Sequence, residues 1–289
     1  MKLVSFSRDG RESFGAIRGD AIVDLGHHFG GQFTGLRDLL THDALEGARA
    51  IAESAPADVA VNTIRFLPTI PSPDKIICIG VNYAQRNAEY KDASELPKYP
   101  SVFLRTPGSL VGHLEPIHRP PESAQLDYEG EITIVIGKAG RRIREQDAHQ
   151  YIAGLTVMNE GTVRDWLRHG KFNVTQGKNF NASGALGPYL VTCDELGDPC
   201  ADREVRTWVN GELRQHDSTA RLMFPFRRLV AYLSTFMRLL PGDIIATGTP
   251  TGAGIHHTPP RFLVPGDTVT VEVDHVGTLR NPIIDEPRD

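Results

Sequence analysis

Two glutamates at the start of an apolar stretch are the residues of this sequence best suited to chemistry. Glu129 and Glu131 lie in the segment DYEGE at 127–131, and the β-branched run at 132–136 that follows predicts a strand. Side chains alternate along a strand, so both carboxylates are expected on one face. Two carboxylates this close repel each other unless positive charge lies between them. A hard divalent cation would supply that charge.

A third carboxylate follows a second predicted strand, at 153–158. Glu160 comes directly after that strand, where it could reach the same ion. An all-oxygen ligand set without nearby His or Cys favours Mg²⁺, with Mn²⁺ or Ca²⁺ as alternatives, over zinc. A solvated acidic strand edge paired with Arg141 and Arg142 is the simpler alternative, and spacing alone leaves both interpretations open.

Four further blocks accompany these carboxylates in a fixed order. They are NEGTVRD at 159–165, GKNF at 177–180, GDI at 242–244 and TGTPTG at 247–252. Together with DYEGE, this order resembles the fumarylacetoacetate hydrolase superfamily over roughly 75–284. The resemblance implies a mixed β-sandwich roll and a metal held by Glu129, Glu131 and a third acidic residue. That third ligand is Asp in the family, and Glu160 replaces it here with a side chain one methylene longer.

The resemblance also implies a substrate-binding set. Arg164 and Lys178 match the basic positions that hold the substrate's carboxylate and oxyanion, because guanidinium suits bidentate carboxylate binding and a buried ammonium acts as a point charge. Thr249, in a glycine-flanked turn, and Tyr83 complete the predicted set. Each of these residues taken alone also has an ordinary structural explanation.

The block NYAQRNAE at 82–89 departs from the hydrolytic members of the superfamily. Those members carry a His followed three residues later by a Glu, and the pair activates water for attack on a carbonyl. This chain keeps Glu89 but has Arg86 at the His position, and arginine cannot serve as a general base. Activation of water would then fall to Glu89, to the metal or to another residue such as His113, although a surface-loop role is the simpler interpretation of His113.

Three hypotheses for function follow. The first is a metal-dependent hydrolase that cleaves a C–C bond of a 2,4-dioxo acid, with Glu89, Lys178 and Arg164 as catalytic residues. The second keeps the metal and the enolate without hydrolysis, as an isomerase, tautomerase or decarboxylase of a hydroxymuconate-like diacid in aromatic catabolism. The third is a non-catalytic binding protein.

The composition restricts partners and location. The net charge of −5, with both signs interspersed, favours neither nucleic acid nor an anionic membrane as a partner. No apolar run is long enough to span a membrane, and the first twenty residues include Lys2, Arg8, Asp9, Arg11 and Glu12 where a signal peptide needs an apolar block, so cytoplasmic localisation is expected. Three cysteines favour neither a disulfide framework nor a zinc site. The partner expected is a small 2-oxo acid, and the resemblance suggests a homodimer.

The order of predicted elements indicates an α+β fold. The chain contains 28 glycines and 20 prolines, about a sixth of its residues against a usual ~12 %, and strands outnumber helices without strict βαβ alternation. A β-rich N-terminal domain is expected at 1–70 and the metal-dependent catalytic domain at 71–289. Asn210-Gly211 predicts a hairpin, 116–121 a loop, and the apolar spacing at 226–240 a helix of about four turns.

Overall fold

Three β-sheets organise the chain in a computed structural model that describes residues 1–89, 96–170 and 173–287. The strands are β1 (Lys2–Arg8), β2 (Arg11–Arg18), β3 (Ala21–Asp24), β4 (Val59–Ala60), β5 (Arg65–Phe66), β6 (Ile76–Ile79), β7 (Val102–Arg105), β8 (Leu110–Val111), β9 (Ile117–Arg119), β10 (Leu126–Asp127), β11 (Gly130–Ile136), β12 (Ile152–Asn159), β13 (Thr162–Val163), β14 (Gly184–Thr192), β15 (Glu204–Val209), β16 (Glu212–Ser218), β17 (Ile244–Ala246), β18 (Thr268–Val273) and β19 (Gly277–Asp285).

Short helices connect these strands. They are α1 (Leu25–His28), α2 (Leu36–Thr41), α3 (Leu45–Ser54), α4 (Ala84–Glu89), α5 (Thr175–Lys178), α6 (Cys193–Leu196) and α7 (Phe226–Phe236), with 3₁₀ turns at Val61–Thr63, Pro107–Ser109, Glu145–Tyr151, Asp165–Arg168, Thr219–Arg221 and Gly254–His256. Within the described residues, no helix is long and apolar enough to cross a membrane. The combination of mixed sheets and a few helices confirms the α+β prediction.

The largest sheet is mixed and runs in the order β4-β3-β2-β1-β14-β12-β11-β17-β6-β7, with β5 beside β1 and β8 beside β14. Most neighbours are antiparallel, whereas the pairs β6–β17 and β8–β14 are parallel. The second sheet has the order β16-β15-β18-β19-β9, and β10 pairs with β13 in a third.

The hydrophobic core lies between the two larger sheets. Ile132, Ile134 and Ile136 of β11 share one buried cluster with Val205 of β15 and Val271 of β18. Because side chains alternate along a strand, Glu131 lies on the opposite face of β11 from these isoleucines. The sandwich therefore buries one face of β11 in apolar contacts, and Glu131 points to the other face at the start of the strand.

A second cluster covers the opposite face of the large sheet. Leu36 and Leu39 of α2 pack there with Leu186 and Leu190 of β14. Strand β1 pairs directly with β14, with Leu3 opposite Leu190. The large sheet is thus continuous across the boundary predicted near residue 70, and the division into two domains stays a prediction.

Several local expectations need correction. Helix α7 ends at Phe236 rather than near 240, and Leu239 instead forms a β-bridge with Gly140. The segment predicted as a loop at 116–121 contains strand β9, which pairs in parallel with β19. The Asn210-Gly211 hairpin is confirmed between β15 and β16, with both residues at positive φ. The polar segment 85–95 is predicted as a short helix or a lid; α4 (Ala84–Glu89) forms its first part, and residues 90–95 lie outside the described residues.

Candidate active site

A cavity of about 830 Å³ opens at the end of β11, on the face turned away from the apolar core. The three predicted metal ligands line it together, and their exposed fractions are 3% for Glu129, 1% for Glu131 and 2% for Glu160. Carboxylates this deeply buried are not a solvated strand edge, so that simpler interpretation is wrong. The other charged residues of the lining are Arg86, Arg105, Arg164 and Lys178.

The backbone brings Glu160 beside Glu129. Strands β11 and β12 are antiparallel, with Gly130 opposite Asn159. Just beyond this pair, the Glu160 N–H donates to the Glu129 carbonyl oxygen at 2.7 Å, and the Glu129 N–H donates to Asn159 Oδ1 at 3.0 Å. A Cβ on Gly130 would lie 2.0 Å from Thr207 Oγ1. The absence of a side chain at Gly130 therefore lets the second sheet pack closely beneath the two carboxylates.

Four donors surround the Glu129 carboxylate. Arg86 and Arg164 donate to Oε1 at 2.7 and 2.8 Å, Thr162 Oγ1 donates to Oε2 at 2.9 Å, and Lys178 Nζ contacts Oε2. A carboxylate offers about four acceptor positions, so those of Glu129 are filled. Burial would raise the pKa of Glu129, but Arg164, Lys178 and Arg86 outweigh it and hold the pKa well below its usual range.

Lys178 joins Glu129 to Glu160, from whose Oε2 its ammonium nitrogen lies 3.0 Å. Burial opposes the charge on Lys178, but Glu129 and Glu160 prevail and raise its pKa. Arg105 lies on the other side of Glu160, at 3.4 Å from Oε1, and also donates to the Gly161 carbonyl oxygen at 2.8 Å. Sequence reasoning missed Arg105, because the end of a short strand carries no signal of a distant partner.

Glu131 has a different environment. Its Oε2 accepts the Gly248 N–H at 2.8 Å, and no Lys, Arg or His of the described residues forms an ion pair with it. Burial, followed by the charges of Glu160 and Glu129, raises the pKa of Glu131 well above its ordinary value. Gly248 has φ +104°, a conformation that L side chains rarely adopt, which explains a glycine at this donor position.

The carboxylates fit a hard divalent cation by their chemistry. All three are buried oxygen donors of one cavity, and a cation would relieve the repulsion that raises the pKa of Glu131. Their present arrangement does not converge on one point: in the described ranges, no group of three or more His, Cys, Asp or Glu side chains is placed to hold a metal ion. Lys178, rather than a common centre, connects Glu129 and Glu160.

Asp127 is a second residue to which sequence reasoning gave no role. Its fully buried carboxylate accepts Arg164 Nε at 2.7 Å and the N–H groups of Gly254 and Ile255 at 2.8 and 3.0 Å. It therefore orients Arg164 toward Glu129 and anchors the turn Gly254–His256. The DYEGE segment contained this residue, but the pairing depends on a turn far away in the sequence.

The remaining predicted residues occupy varied positions. Thr249 lines the cavity, and its hydroxyl donates to the Gly130 carbonyl oxygen at 3.0 Å. Tyr83 is 1% exposed in the hydrophobic core and is not among the lining residues, so the structure does not place it at the predicted substrate site.

His113, the alternative base, also lies outside the cavity, where it packs edge-on against Phe66 and its Nδ1 accepts the Arg280 N–H. Burial, together with Arg280, lowers the pKa of His113 to about 4.

Arg86 lies between Glu89 and the cavity. The guanidinium is 3% exposed and donates to Glu129 Oε1 at 2.7 Å and to Glu89 Oε2 at 3.2 Å. Glu89 Oε1 accepts the Gly252 N–H at 2.7 Å, and Glu89 is not among the residues that line the cavity. The structure thus brings a permanent cation, rather than a base, to the cavity wall.

A family model and a curated relative both match most of this chain. A family model described as fumarylacetoacetate (FAA) hydrolase C-terminal matches residues 75–284. A mitochondrial oxaloacetate tautomerase of Xenopus laevis is 37% identical over 270 residues, which cover 92% of this chain and 83% of that protein.

Two structures extend the comparison to the fold. A fumarylacetoacetate hydrolase from Exiguobacterium antarcticum aligns with a TM-score of 0.82 and 30% identity, over 99% of this chain and 100% of that one. A maleylpyruvate hydrolase from Sphingobium sp. SYK-6, in complex with manganese(II) and pyruvate, aligns with a TM-score of 0.81 and 27% identity over the same shares. The predicted sandwich roll of this fold is therefore confirmed.

Proposed function

The chain belongs to the fumarylacetoacetate hydrolase family, and we propose that it is a divalent-metal-dependent tautomerase that interconverts the keto and enol forms of oxaloacetate or a closely related 2-oxo dicarboxylic acid. The similarity to an oxaloacetate tautomerase supports this alternative better than the predicted C–C hydrolysis. The family relationship supports an enzyme rather than the non-catalytic binding protein.

The position of Arg86 is the observation that carries this proposal. Hydrolysis of a dioxo acid requires a base that activates water. At the position where hydrolytic members of the family carry this base, a His, the chain has Arg86, which is buried, paired with Glu129 and Glu89, and unable to act as a base. Tautomerisation moves one proton from C3 to the 2-oxo oxygen and forms no bond to water. Tautomerisation still needs a group that accepts the C3 proton, but it needs no activated water, so the loss of the water-activating base counts against hydrolysis and leaves proton transfer next to a ketone.

The charges around the cavity suit an acidic substrate. Among the described residues, four cations face five carboxylates, which leaves one excess negative charge, and a divalent ion would change this to one excess positive charge. A dicarboxylate would then be attracted rather than repelled. The residues counted are Arg86, Arg105, Arg164, Lys178, Glu89, Asp127, Glu129, Glu131 and Glu160.

Glu129, Glu131 and Glu160 are the proposed ligands of the ion, which when bound would polarise the 2-oxo group as a Lewis acid. Lys178, held protonated by Glu129 and Glu160, would neutralise the negative charge that develops on the enolate oxygen. Arg164, fixed by Asp127, would bind a substrate carboxylate. The Thr249 hydroxyl donates to the Gly130 carbonyl oxygen and accepts from Gln215 Nε2, so the backbone N–H of Thr249 would be the donor offered to the substrate.

Hydrolysis of an acylpyruvate is the second candidate. The structural similarity to a maleylpyruvate hydrolase favours it, and so does the retention of Glu89. The manganese in that structure shows that the family binds divalent metals, while Mg²⁺ stays a prediction for this chain. The homodimer also stays a prediction, and so does cytoplasmic localisation, since the Xenopus relative is mitochondrial.

Proton exchange and cleavage can be measured on one sample. Protein loaded with Mg²⁺ or Mn²⁺ is incubated in deuterated buffer with oxaloacetate and, separately, with acetylpyruvate and maleylpyruvate, and NMR follows deuterium at C3 together with the cleavage products. We expect catalysed exchange at C3 of oxaloacetate and little cleavage of either acylpyruvate. Rapid cleavage without catalysed exchange in oxaloacetate would contradict the tautomerase and favour the hydrolase.

A further inference from the structure

One oxygen of Glu89 lies near two basic side chains, Arg86 and His256. Glu89 Oε2 accepts Arg86 Nη1 at 3.2 Å and lies 3.9 Å from His256 Nε2. The Glu89 and His256 side chains are 18% and 14% exposed, so this group lies behind the cavity wall and is largely shielded from water. Only Arg86 of the three reaches the cavity.

Backbone hydrogen bonds hold the segment just before His256. The Gly254 and Ile255 N–H groups donate to Asp127, and the Gly252 N–H donates to Glu89 Oε1. His256 is thus brought to Glu89 by backbone contacts that do not depend on its own side chain. The distance of 3.9 Å exceeds a hydrogen bond, and a small side-chain rotation would close it.

We propose that His256 is a positioning residue that, through Glu89, sets how much of the positive charge of Arg86 is available to an anionic substrate. With neutral His256, Glu89 Oε2 pairs with Arg86 and offsets its charge. A protonated His256 would donate to the same oxygen, draw Glu89 away and leave Arg86 less compensated. The inference rests on the proposed function only in taking a dicarboxylate as the ligand.

The charged groups around His256 determine when this exchange occurs. Within the described residues, Arg86 and Glu89 face it from α4, Asp127 from β10 and Arg164 from the segment after β13. Burial, then Arg86, lowers the pKa of His256 below its ordinary 6.5, and Glu89 opposes the shift. The imidazole is accordingly neutral at pH 7 and becomes protonated as the solution is acidified.

Oxalate binding to Mn²⁺-loaded protein tests the inference directly, because oxalate is a dianion throughout the range used and does not react. Isothermal titration at a series of pH values from 8 down to 5.5 should show oxalate binding to wild type tighten progressively as the pH falls, by up to about 10-fold. His256→Gln should keep the weaker, pH 8 affinity throughout the series, because glutamine does not titrate there. Glu89→Gln should bind tightly throughout, because its amide no longer offsets Arg86.

The neighbouring histidine is a matched control. His257 Nε2 lies 3.4 Å from both Tyr128 Oη and the Gly252 carbonyl oxygen, and His257→Gln should retain the wild-type pH dependence. A wild-type pH dependence in His256→Gln, or in Glu89→Gln, would overturn the inference. If oxalate binding follows the expected pattern but the protein does not tautomerise oxaloacetate, the proposed function alone is overturned. If the wild type tautomerises oxaloacetate but binds oxalate equally well at every pH, the inference alone is overturned.

Discussion

Three glutamates of one cavity have the same side chain and different environments. Glu129 is held ionised by two guanidiniums and an ammonium, Glu160 shares that ammonium with it and adds Arg105, and Glu131 has no ion pair among the described residues. Burial and then the neighbouring carboxylates raise the pKa of Glu131, whereas cations lower the pKa of Glu129. Glu131 is therefore the residue whose ionisation depends most on a bound cation.

Glu131→Gln is expected to stabilise the metal-stripped protein at pH 8. A carboxyl whose pKa is raised on folding contributes its stability below the unfolded value of about 4.5, and that contribution is lost as the pH rises through the folded pKa. Glutamine removes the buried charge and keeps the acceptor for the Gly248 N–H. A gain of about 1 kcal/mol would raise the melting temperature by roughly 2–4 °C.

The same variant should lose stabilisation by metal. Mn²⁺ at 100 times its dissociation constant should stabilise wild type by about 2.7 kcal/mol, and Glu131→Gln should show almost none of this. Differential scanning fluorimetry with and without chelator measures both effects. A variant that melts below wild type when metal-free at pH 8 would contradict the destabilising buried charge, and one that Mn²⁺ stabilises fully would exclude Glu131 as a ligand.

Strands β11 and β12 carry the site, and local sequence signals predict them well. Strand β11 is a β-branched run that begins beside acidic residues, and β12 is an apolar run followed by Glu160. The alternation along β11 was enough to place Glu129 and Glu131 in the same cavity. The contacts of Arg105 and Asp127 could not be predicted, because they join residues 55 and 127 positions apart. Tyr83 differs in the other direction. Its place in a block that resembles the family predicted a substrate-binding residue, whereas its side chain packs in the hydrophobic core.

Gly130→Ala is expected to destabilise the protein by about 1–3 kcal/mol, the usual cost of overpacking a core. The new Cβ would lie 2.0 Å from Thr207 Oγ1 and 2.9 Å from Val271 Cγ1, which would push β11 away from the second sheet and displace both carboxylates. Chemical denaturation measures the loss. Adding Thr207→Ala should recover part of it, because the Thr207 hydroxyl has no hydrogen-bond partner in the described residues.

Gly47→Ala provides the comparison for this prediction. Gly47 lies in α3, where a Cβ would meet Phe29 at an ordinary 3.8 Å, and alanine favours a helix over glycine by ~1 kcal/mol. This variant should be as stable as wild type or more so. Equal stability of Gly130→Ala and wild type would show that the two sheets do not constrain the carboxylates.

The two predicted domains share one β-sheet and one buried apolar cluster. Strand β1 covers an edge of β14, and Leu3, Leu36 and Ile70 belong to the same buried cluster as Leu186 and Leu190. Pro68, Pro71 and Pro73 are typical of a linker, but sequence alone could not show that β1 pairs with a strand more than 180 residues later.

A fragment of residues 71–289 is accordingly expected not to fold on its own. It would expose the backbone groups of β14 and the apolar face beneath α2, and exposed strand edges promote aggregation. Size-exclusion chromatography and thermal unfolding of the fragment, compared with the full chain, test this expectation. A monodisperse fragment with a cooperative transition would support two independent domains instead.

The ketonisation rate of enol-oxaloacetate tests the central claim most directly. The decay of enol absorbance is followed with metal-stripped protein, with Mn²⁺-loaded protein and with Glu131→Gln under the same Mn²⁺ concentration, each corrected for free Mn²⁺. We predict that the loaded wild type accelerates ketonisation at least ~10²-fold over the other two, as expected for polarisation of a bound ketone in a preorganised site. Equal rates in all three samples, with metal bound to the wild type, would contradict the tautomerase.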